Sequence, residues 1–263
     1  MLSAAEIQSA SDLLWRCWQD GTTIAELPRA LRPATRAEGY AIQARLEAHS
    51  TRALFGWKIA ATSRAGQKHI NVSEPLAGRL LAEHVSASGA ELPFGINHMK
   101  VAEMEFAFRL GRDLPPRGTL YEVAEVMGAV DALHPAIEMP DSRFADFTVS
   151  GAPQLIADNA CAHLFVLGEP TPAAWRAVDL AQHRVVCRVG SIEREGKGEN
   201  VLGDPRLALT WLVNELSRLG LPLAAGQVIS TGTCITPVPI APGDEVHGDF
   251  GIFGRVSVKL RYG

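Results

Sequence analysis

The chain lacks most of the features that would announce a functional class at once. Its four cysteines, Cys17, Cys161, Cys187 and Cys234, are widely spaced, with no C-x-x-C and no Cys/His cluster. That argues against a disulfide framework and a zinc site, and points to a reducing compartment. No apolar run approaches the roughly 18–20 residues that span a bilayer. The opening MLSAAEIQSA has no basic stretch leading into an apolar one, so a signal peptide is not expected and a cytoplasmic location is. Positive charge is not in excess: 25 Lys and Arg against 29 Asp and Glu leave a net charge of −4. Neither nucleic acid nor an anionic membrane surface is therefore expected as the main partner. There is no G-x-x-x-x-G-K-[ST] and no G-x-S-x-G. The glycines of GDFGIFG (248–254) precede no helix, so they make no dinucleotide loop. The eight histidines are scattered, with none paired at i, i+4; His134, four residues before Glu138, reads as structural. No repeat or heptad is present.

What is there suits one sizeable globule. Of 263 residues, 47% are hydrophobic and 21% charged, an ordinary balance for a folded, soluble enzyme. Ser3 with Glu6, and Thr35 with Glu38, are capping boxes that start two helices, the first closed at Gly21. The first 53 residues thus read as a helical segment too small to stand alone. From residue 54 to 263 the pattern changes to short strands and Gly/Pro turns. LFGWKIAAT (54–62) is a buried strand, and 63–89 is mostly loop with one short helix. Thr119 and Glu122 read as a third capping box, followed by a strand over 129–139. Residues 147–168 read as strand and turn, and 183–193 as another strand. Asp204 caps a helix with Pro205 in its first turn, and the remainder is strand and turn. Many short strands with few helices between them predict an α+β fold around a mixed β core.

Three features could carry chemistry. VAEMEFAFRL (101–110) alternates strictly, with Ala102, Met104, Phe106, Phe108 and Leu110 on one face and Val101, Glu103, Glu105, Ala107 and Arg109 on the other. Such alternation marks a strand with one face in the core. Glu103 and Glu105 then lie roughly 6.5–7 Å apart and repel by about 2 kcal/mol at an effective dielectric near 20. A positive group is expected between them, and Arg109, roughly 13 Å along the strand, is too far to serve. With Glu138 on a later strand they make a carboxylate set of the kind that holds hard divalent cations; a solvated acidic face is the plainer reading. Second, Lys58 is the single charge in an apolar run. It either snorkels from an edge strand or is buried, which would lower its pKa and fit it for proton transfer. Third, STGTCITP (230–237) runs from strand into a turn rich in hydroxyls and backbone N–H groups, able to take a carboxylate or simply to close a hairpin.

Together, GWKIAAT (56–62), Glu103-x-Glu105, AIEMPDSR (136–143), ADNA (157–160), STGT (230–233) and the turn Pro242-Gly243-Asp244 occur in a familiar order. The chain resembles the 2-keto-4-pentenoate hydratases and 2-oxo-3-hexenedioate decarboxylases of the fumarylacetoacetate hydrolase superfamily, from about residue 40 onward. The resemblance implies a mixed β-roll or sandwich core of the fumarylacetoacetate hydrolase C-terminal type, with a helical N-terminal segment, and a Mg²⁺ or Mn²⁺ site. By its pattern Glu103, Glu105 and Glu138 match the metal ligands, Lys58 the active-site lysine, and Thr233 a threonine that helps hold the substrate carboxylate. Asp158 and Asn159 are expected to line the pocket. The implied activity is a metal-dependent hydro-lyase of meta-cleavage aromatic catabolism. It would act on a short unsaturated 2-oxo or 2-hydroxy-dienoic acid such as 2-hydroxypenta-2,4-dienoate, in a homo-oligomer. Decarboxylation of a 2-oxo diacid and C–C hydrolysis of an acylpyruvate are the alternatives on this scaffold; a non-catalytic relative is the reading outside enzymes. One departure stands out. In SEPLAG (73–78) Leu76 occupies a loop position where the family pattern often has an acid, so slowed hydration is expected if that acid activates water.

Overall fold

The computed structural model describes residues 1–262; Gly263, the end of the stretch read as strand and turn, lies outside them. Among the described residues the helices are α1 (Ala4–Asp20), α2 (Arg36–Ala44), α3 (Arg64–His69), α4 (Val123–Ala129), α5 (Gly151–Ala157) and α6 (Pro205–Arg218). The strands are β1 (Gly56–Ala60), β2 (Leu76–Leu80), β3 (Val85–Ala87), β4 (Ala90–Pro93), β5 (Val101–Leu110), β6 (Val130–Met139) and β7 (Leu164–Leu167). They continue with β8 (Arg184–Val189), β9 (Ile192–Lys197), β10 (Val228–Thr233), β11 (Val238–Pro239), β12 (Glu245–Asp249) and β13 (Arg255–Arg261).

Local chemistry accounts for the helix starts. Ser3–Glu6 and Thr35–Glu38 form reciprocal capping boxes at α1 and α2, satisfying N–H groups that have no partner within the helix. Asp204 accepts from the Arg206 N–H, with Pro205 at the first turn of α6. The third box sits three residues later than expected: Glu122 and Glu125, not Thr119 and Glu122, cap α4. Residues 147–168, expected as strand and turn, contain α5 before β7. The loop expected over 63–89 contains β2 and β3 as well as α3, so Leu76 opens a strand and is 1% exposed.

The strands form two mixed sheets. The larger runs β2-β1-β10-β5-β6-β7-β3, with β11 paired to β5, and the smaller runs β4-β13-β12-β8-β9. The alternation of β5 decides their packing. Met104, Phe106 and Phe108 are fully buried, and Phe106 meets Phe250 and Phe253 of the smaller sheet's hairpin edge-on, with ring centres 5.2 and 5.9 Å apart. The opposite face of β5 is buried too, at Glu105 and Ala107. That face carries the site.

Candidate metal centre and substrate pocket

Strand register brings the three glutamates together. β5 and β6 run antiparallel with Glu103 opposite Glu138, and Glu105 is one same-face step along. Paired residues share a face, and one oxygen from each carboxylate lies within 4.8 Å of the others. The ladder continues outward: Ala107 faces Ser230 on β10, Ser230 faces Lys58 on β1, and Lys58 faces Gly78 on β2. Five adjacent strands thus point their functional residues to one side. A Cβ at Gly78 would stand 3.1 Å from the Lys58 side chain and 2.4 Å from the Asn159 carbonyl oxygen, so glycine is what lets the lysine pass.

The carboxylates are buried beyond what the protein satisfies. Glu105 is fully buried, Glu138 is 1% exposed, and Glu103 is half-buried at the cavity wall. Glu105 Oε2 accepts from the Ser230 hydroxyl and from the Gly232 N–H. Its Oε1 and Glu138 Oε2 have no hydrogen-bond partner, and Glu138 Oε1 meets the Lys58 ammonium at 2.9 Å. Leaving buried anionic oxygens unpaired is expensive, and a cluster of them is a donor set for a hard cation, which takes oxygen ligands. The residues present therefore fit a divalent ion. Burial first, then Glu138, pushes the Glu103 carboxyl up to about 7. Burial, then Glu138 and Glu103, holds Glu105 well above the ordinary carboxylate range. Burial also raises Glu138, against the pull of Lys58.

Lys58 is the positive group expected near the glutamates. It is 2% exposed, and its Nζ stands 2.9 Å from Glu138 Oε1 while donating to the Ala160 carbonyl at 3.0 Å. It does not snorkel. The expected fall in its pKa is not found: burial favours the neutral amine, but Glu138, Glu103 and Glu105 together outweigh it and keep the ammonium above its usual range.

Asp158 and Asn159 do not line the pocket. Asp158 is 1% exposed and pairs with Arg143, also accepting from the Ser142 hydroxyl at 2.7 Å. Asn159 clasps the backbone of Arg79, accepting from its N–H at 2.7 Å and donating to its carbonyl at 2.9 Å. The two brace a turn in which Asn159, Ala160 and Cys161 are all left-handed, with φ of 55°, 50° and 61°. Such non-glycine conformations cost roughly 1–3 kcal/mol each and persist only when the surroundings impose them. The product of that strain is the Ala160 carbonyl that holds Lys58. Removing Asp158 leaves the Arg143 charge buried and unpaired, so Asp158→Ala is expected to cost about 3–5 kcal/mol of stability. Chemical denaturation checks this, and an unchanged midpoint would refute the bracing role.

Thr233 does reach the pocket wall, where its hydroxyl donates to the Ile235 carbonyl at 3.0 Å. The STGT turn takes a carboxylate, but the protein's own: Ser230 and Gly232 hold Glu105. Gly232 has φ 102°, and a Cβ there would lie 2.1 Å from Thr62 Oγ1, so the close approach needs glycine. Ser230, the Ala160 carbonyl and Arg79 were not visible as functional residues in the sequence, although STGT pointed to the right strand. The cavity beside Lys58 and Glu103 has a volume of about 600 Å³ and is walled by α3, the start of β5, Pro140, Phe147, Thr233 and residues 235–237.

The fumarylacetoacetate (FAA) hydrolase C-terminal model matches residues 67–261. A 2-keto-4-pentenoate hydratase of Paraburkholderia xenovorans LB400 is 34% identical over 261 residues, covering 97% of this chain and 94% of the relative. A 2-oxo-hept-4-ene-1,7-dioate hydratase of Escherichia coli is 33% identical, covering 86% and 87%. Among solved structures, the 4-oxalocrotonate decarboxylase of Pseudomonas putida G7, complexed with magnesium and adipate, superposes with a TM-score of 0.88 at 25% identity, over 99% of both chains. The mixed sheets and the carboxylate-lined face already define an α+β fold of this type. The chain belongs to the fumarylacetoacetate hydrolase family, as its ordered motifs implied. No helix among the described residues is long and apolar enough to cross a membrane.

Proposed function

We propose that this chain is a divalent-cation-dependent hydratase of a short unsaturated 2-oxo acid, presented as its 2-hydroxy-dienoate, such as 2-hydroxypenta-2,4-dienoate. The observation that carries the reading is the set of three clustered carboxylates, with two buried oxygens, Glu105 Oε1 and Glu138 Oε2, lacking partners, beside a cavity that Lys58 and Glu103 line. Glu103, Glu105 and Glu138 would hold Mg²⁺ or Mn²⁺. When bound, the cation supplies Lewis-acid stabilisation of the charge that develops on the 2-oxygen and neutralises the carboxylate field. Lys58, relieved of that field, is left with burial, which lowers its proton affinity and suits Nζ to carry a proton to and from the substrate. Ser230 and the Gly232 N–H fix the Glu105 carboxylate. Thr233 would receive the substrate carboxylate at Oγ1. Asp158 and Asn159 act as positioning residues through the Ala160 carbonyl.

The second reading is decarboxylation of a 2-oxo diacid, favoured by the fold's closeness to a decarboxylase that is complexed with a dicarboxylate. Assaying 2-hydroxypenta-2,4-dienoate, 2-oxo-3-hexenedioate and acylpyruvates with Mg²⁺, with products identified, separates the two. Hydrated product is expected from the dienoate. EDTA should abolish turnover and Mg²⁺ restore it; activity in EDTA would defeat the cation-dependent reading.

Leu76 bears on the hydration step. Its partner across the β1–β2 ladder is Ala60, two residues from Lys58 on the same face. Leu76 is buried and outside the cavity lining, so general-base help at this position is what the family resemblance implies. Loss of such help costs about 10²–10⁴-fold, while enolisation needs no acid there. Deuterium is therefore expected to enter C3 of the dienoate from D₂O faster than 4-hydroxy-2-oxopentanoate forms, and Leu76→Asp to shift the ratio towards hydration. NMR in D₂O measures both rates; equal rates in the wild type would clear Leu76 of any handicap.

A further inference from the structure

We infer that the cavity is built for 2-oxo acids whose far end is uncharged, apolar and several carbons long, and that it discriminates against 2-oxo diacids. The inference rests on the 2-oxo-acid reading above and extends its far end beyond the five-carbon example given there.

Size is the first observation. A cavity of about 600 Å³ falls in the range that takes drug-sized ligands, well beyond a five-carbon acid. Wall chemistry is the second. Ala65 and Ile70 around α3, Met99, Phe147, Leu155 and Ile235 all face the space. Among the described residues, Lys58 is the one lysine or arginine in the wall, and it is already held by Glu138 and the Ala160 carbonyl. Arg64 and Lys68 lie on α3 but outside the lining. His69, exposed at the rim, sets its ring edge-to-face with Phe147, with centres 5.8 Å apart.

The polar wall groups are largely spoken for. The Asn200 amide donates to the Cys234 carbonyl at 2.8 Å. Ser63 Oγ accepts from the Gly66 N–H as the cap of α3. Thr233 Oγ1, bonded within its own turn, is the group assigned above to the substrate's first carboxylate and is not free for a second. A second carboxylate entering this space would lose its water, find no free counter-charge, and share the cavity with Glu103. A hydrocarbon tail would gain with each methylene that leaves water.

Calorimetry on the Mg²⁺-loaded protein with saturated, non-reacting 2-oxo acids tests this by binding alone. 2-Oxooctanoate is expected to bind about tenfold or more tightly than 2-oxopentanoate. 2-Oxoadipate is expected to bind at least about tenfold more weakly than 2-oxohexanoate, its monoacid counterpart of equal length. Ile70→Arg, at a half-buried position that tolerates a long side chain, should reverse the second ranking. The wild-type rankings decide the matter even if that variant does not fold. A diacid that binds as well as the monoacid, or affinity that does not grow with chain length, overturns the inference and leaves the 2-oxo-acid reading standing. If no 2-oxo acid binds with Mg²⁺ present, both fall.

Discussion

Glu105→Gln and Glu138→Gln are each expected to abolish Mg²⁺ and Mn²⁺ binding by calorimetry and to reduce turnover to near background. At a hundred times its dissociation constant, a cation stabilises the wild type by about 2.7 kcal/mol, and neither variant should show that gain. The glutamine amide is nearly the shape of the carboxylate, and in Glu105→Gln its oxygen can still accept from Ser230 and Gly232. Loss of binding would therefore reflect lost charge, not a collapsed site. The cation-free comparison has the opposite sign. Like charges within 4.8 Å of one another repel by about 3 kcal/mol or more at an effective dielectric near 20, so Glu105→Gln should be more stable than the wild type without metal. The pH dependence follows from the raised carboxyls. Burial and the neighbouring carboxylates push Glu103 up to about 7 against an ordinary 4.5, and hold Glu105 well above that ordinary value. Between those limits the folded state binds more protons than the unfolded one, so its stability falls as pH rises. The stability gap between Glu105→Gln and the metal-free wild type should widen as pH rises above about 4.5 and close when Mg²⁺ is added. Thermal melts measure it. Unchanged cation affinity in both variants would remove these residues from the metal site.

Much of this site was legible because its signals are local. The period of two in β5 sorts Glu103 and Glu105 onto one face whatever the tertiary structure does, and the capping boxes of α1 and α2 close within three residues. Lys58 stood out by being charged in an apolar strand. What stayed hidden depends on partners far along the chain. Asp158 and Asn159 looked like pocket residues because a polar pair between apolar neighbours is ambiguous until its partners are known. Arg79 lies 80 residues from Asn159. α5 escaped because GAPQLIA has only seven residues, contains a proline, and has no side-chain cap; packing against α2 holds it. At α4 both T-x-x-E and E-x-x-E are present, and the second won because the Glu125 carboxylate accepts from the Glu122 N–H at 2.9 Å. The pKa of Lys58 was misjudged because burial acts locally, whereas the opposing field comes from β5 and β6, which pairing brings alongside.

Lys58→Met is expected to lower kcat by about 10²–10⁴-fold, the usual contribution of a positioned proton-transfer group, with cation affinity kept within about tenfold. Methionine retains an unbranched stem of similar length through the narrow space left by Gly78, so the sheet face should pack as before. Two effects on stability follow. Without metal, the change leaves Glu138 without its cation at 2.9 Å, so the metal-free variant should melt lower than the wild type. With Mg²⁺ bound the deficit should shrink, since the ion offsets the carboxylate charge that Lys58 otherwise balances. Lys58→Arg separates charge from proton transfer. A guanidinium stays charged at any accessible pH, so it can balance Glu138 but cannot release a proton at the rate a lysine can. If Lys58 serves only to balance charge, Lys58→Arg should recover most of the turnover lost in Lys58→Met. If Nζ carries the proton, Lys58→Arg should restore metal-free stability and leave kcat low. Near-normal kcat in Lys58→Met would show that neither role matters to the reaction, and that the buried ion pair with Glu138 serves the fold alone.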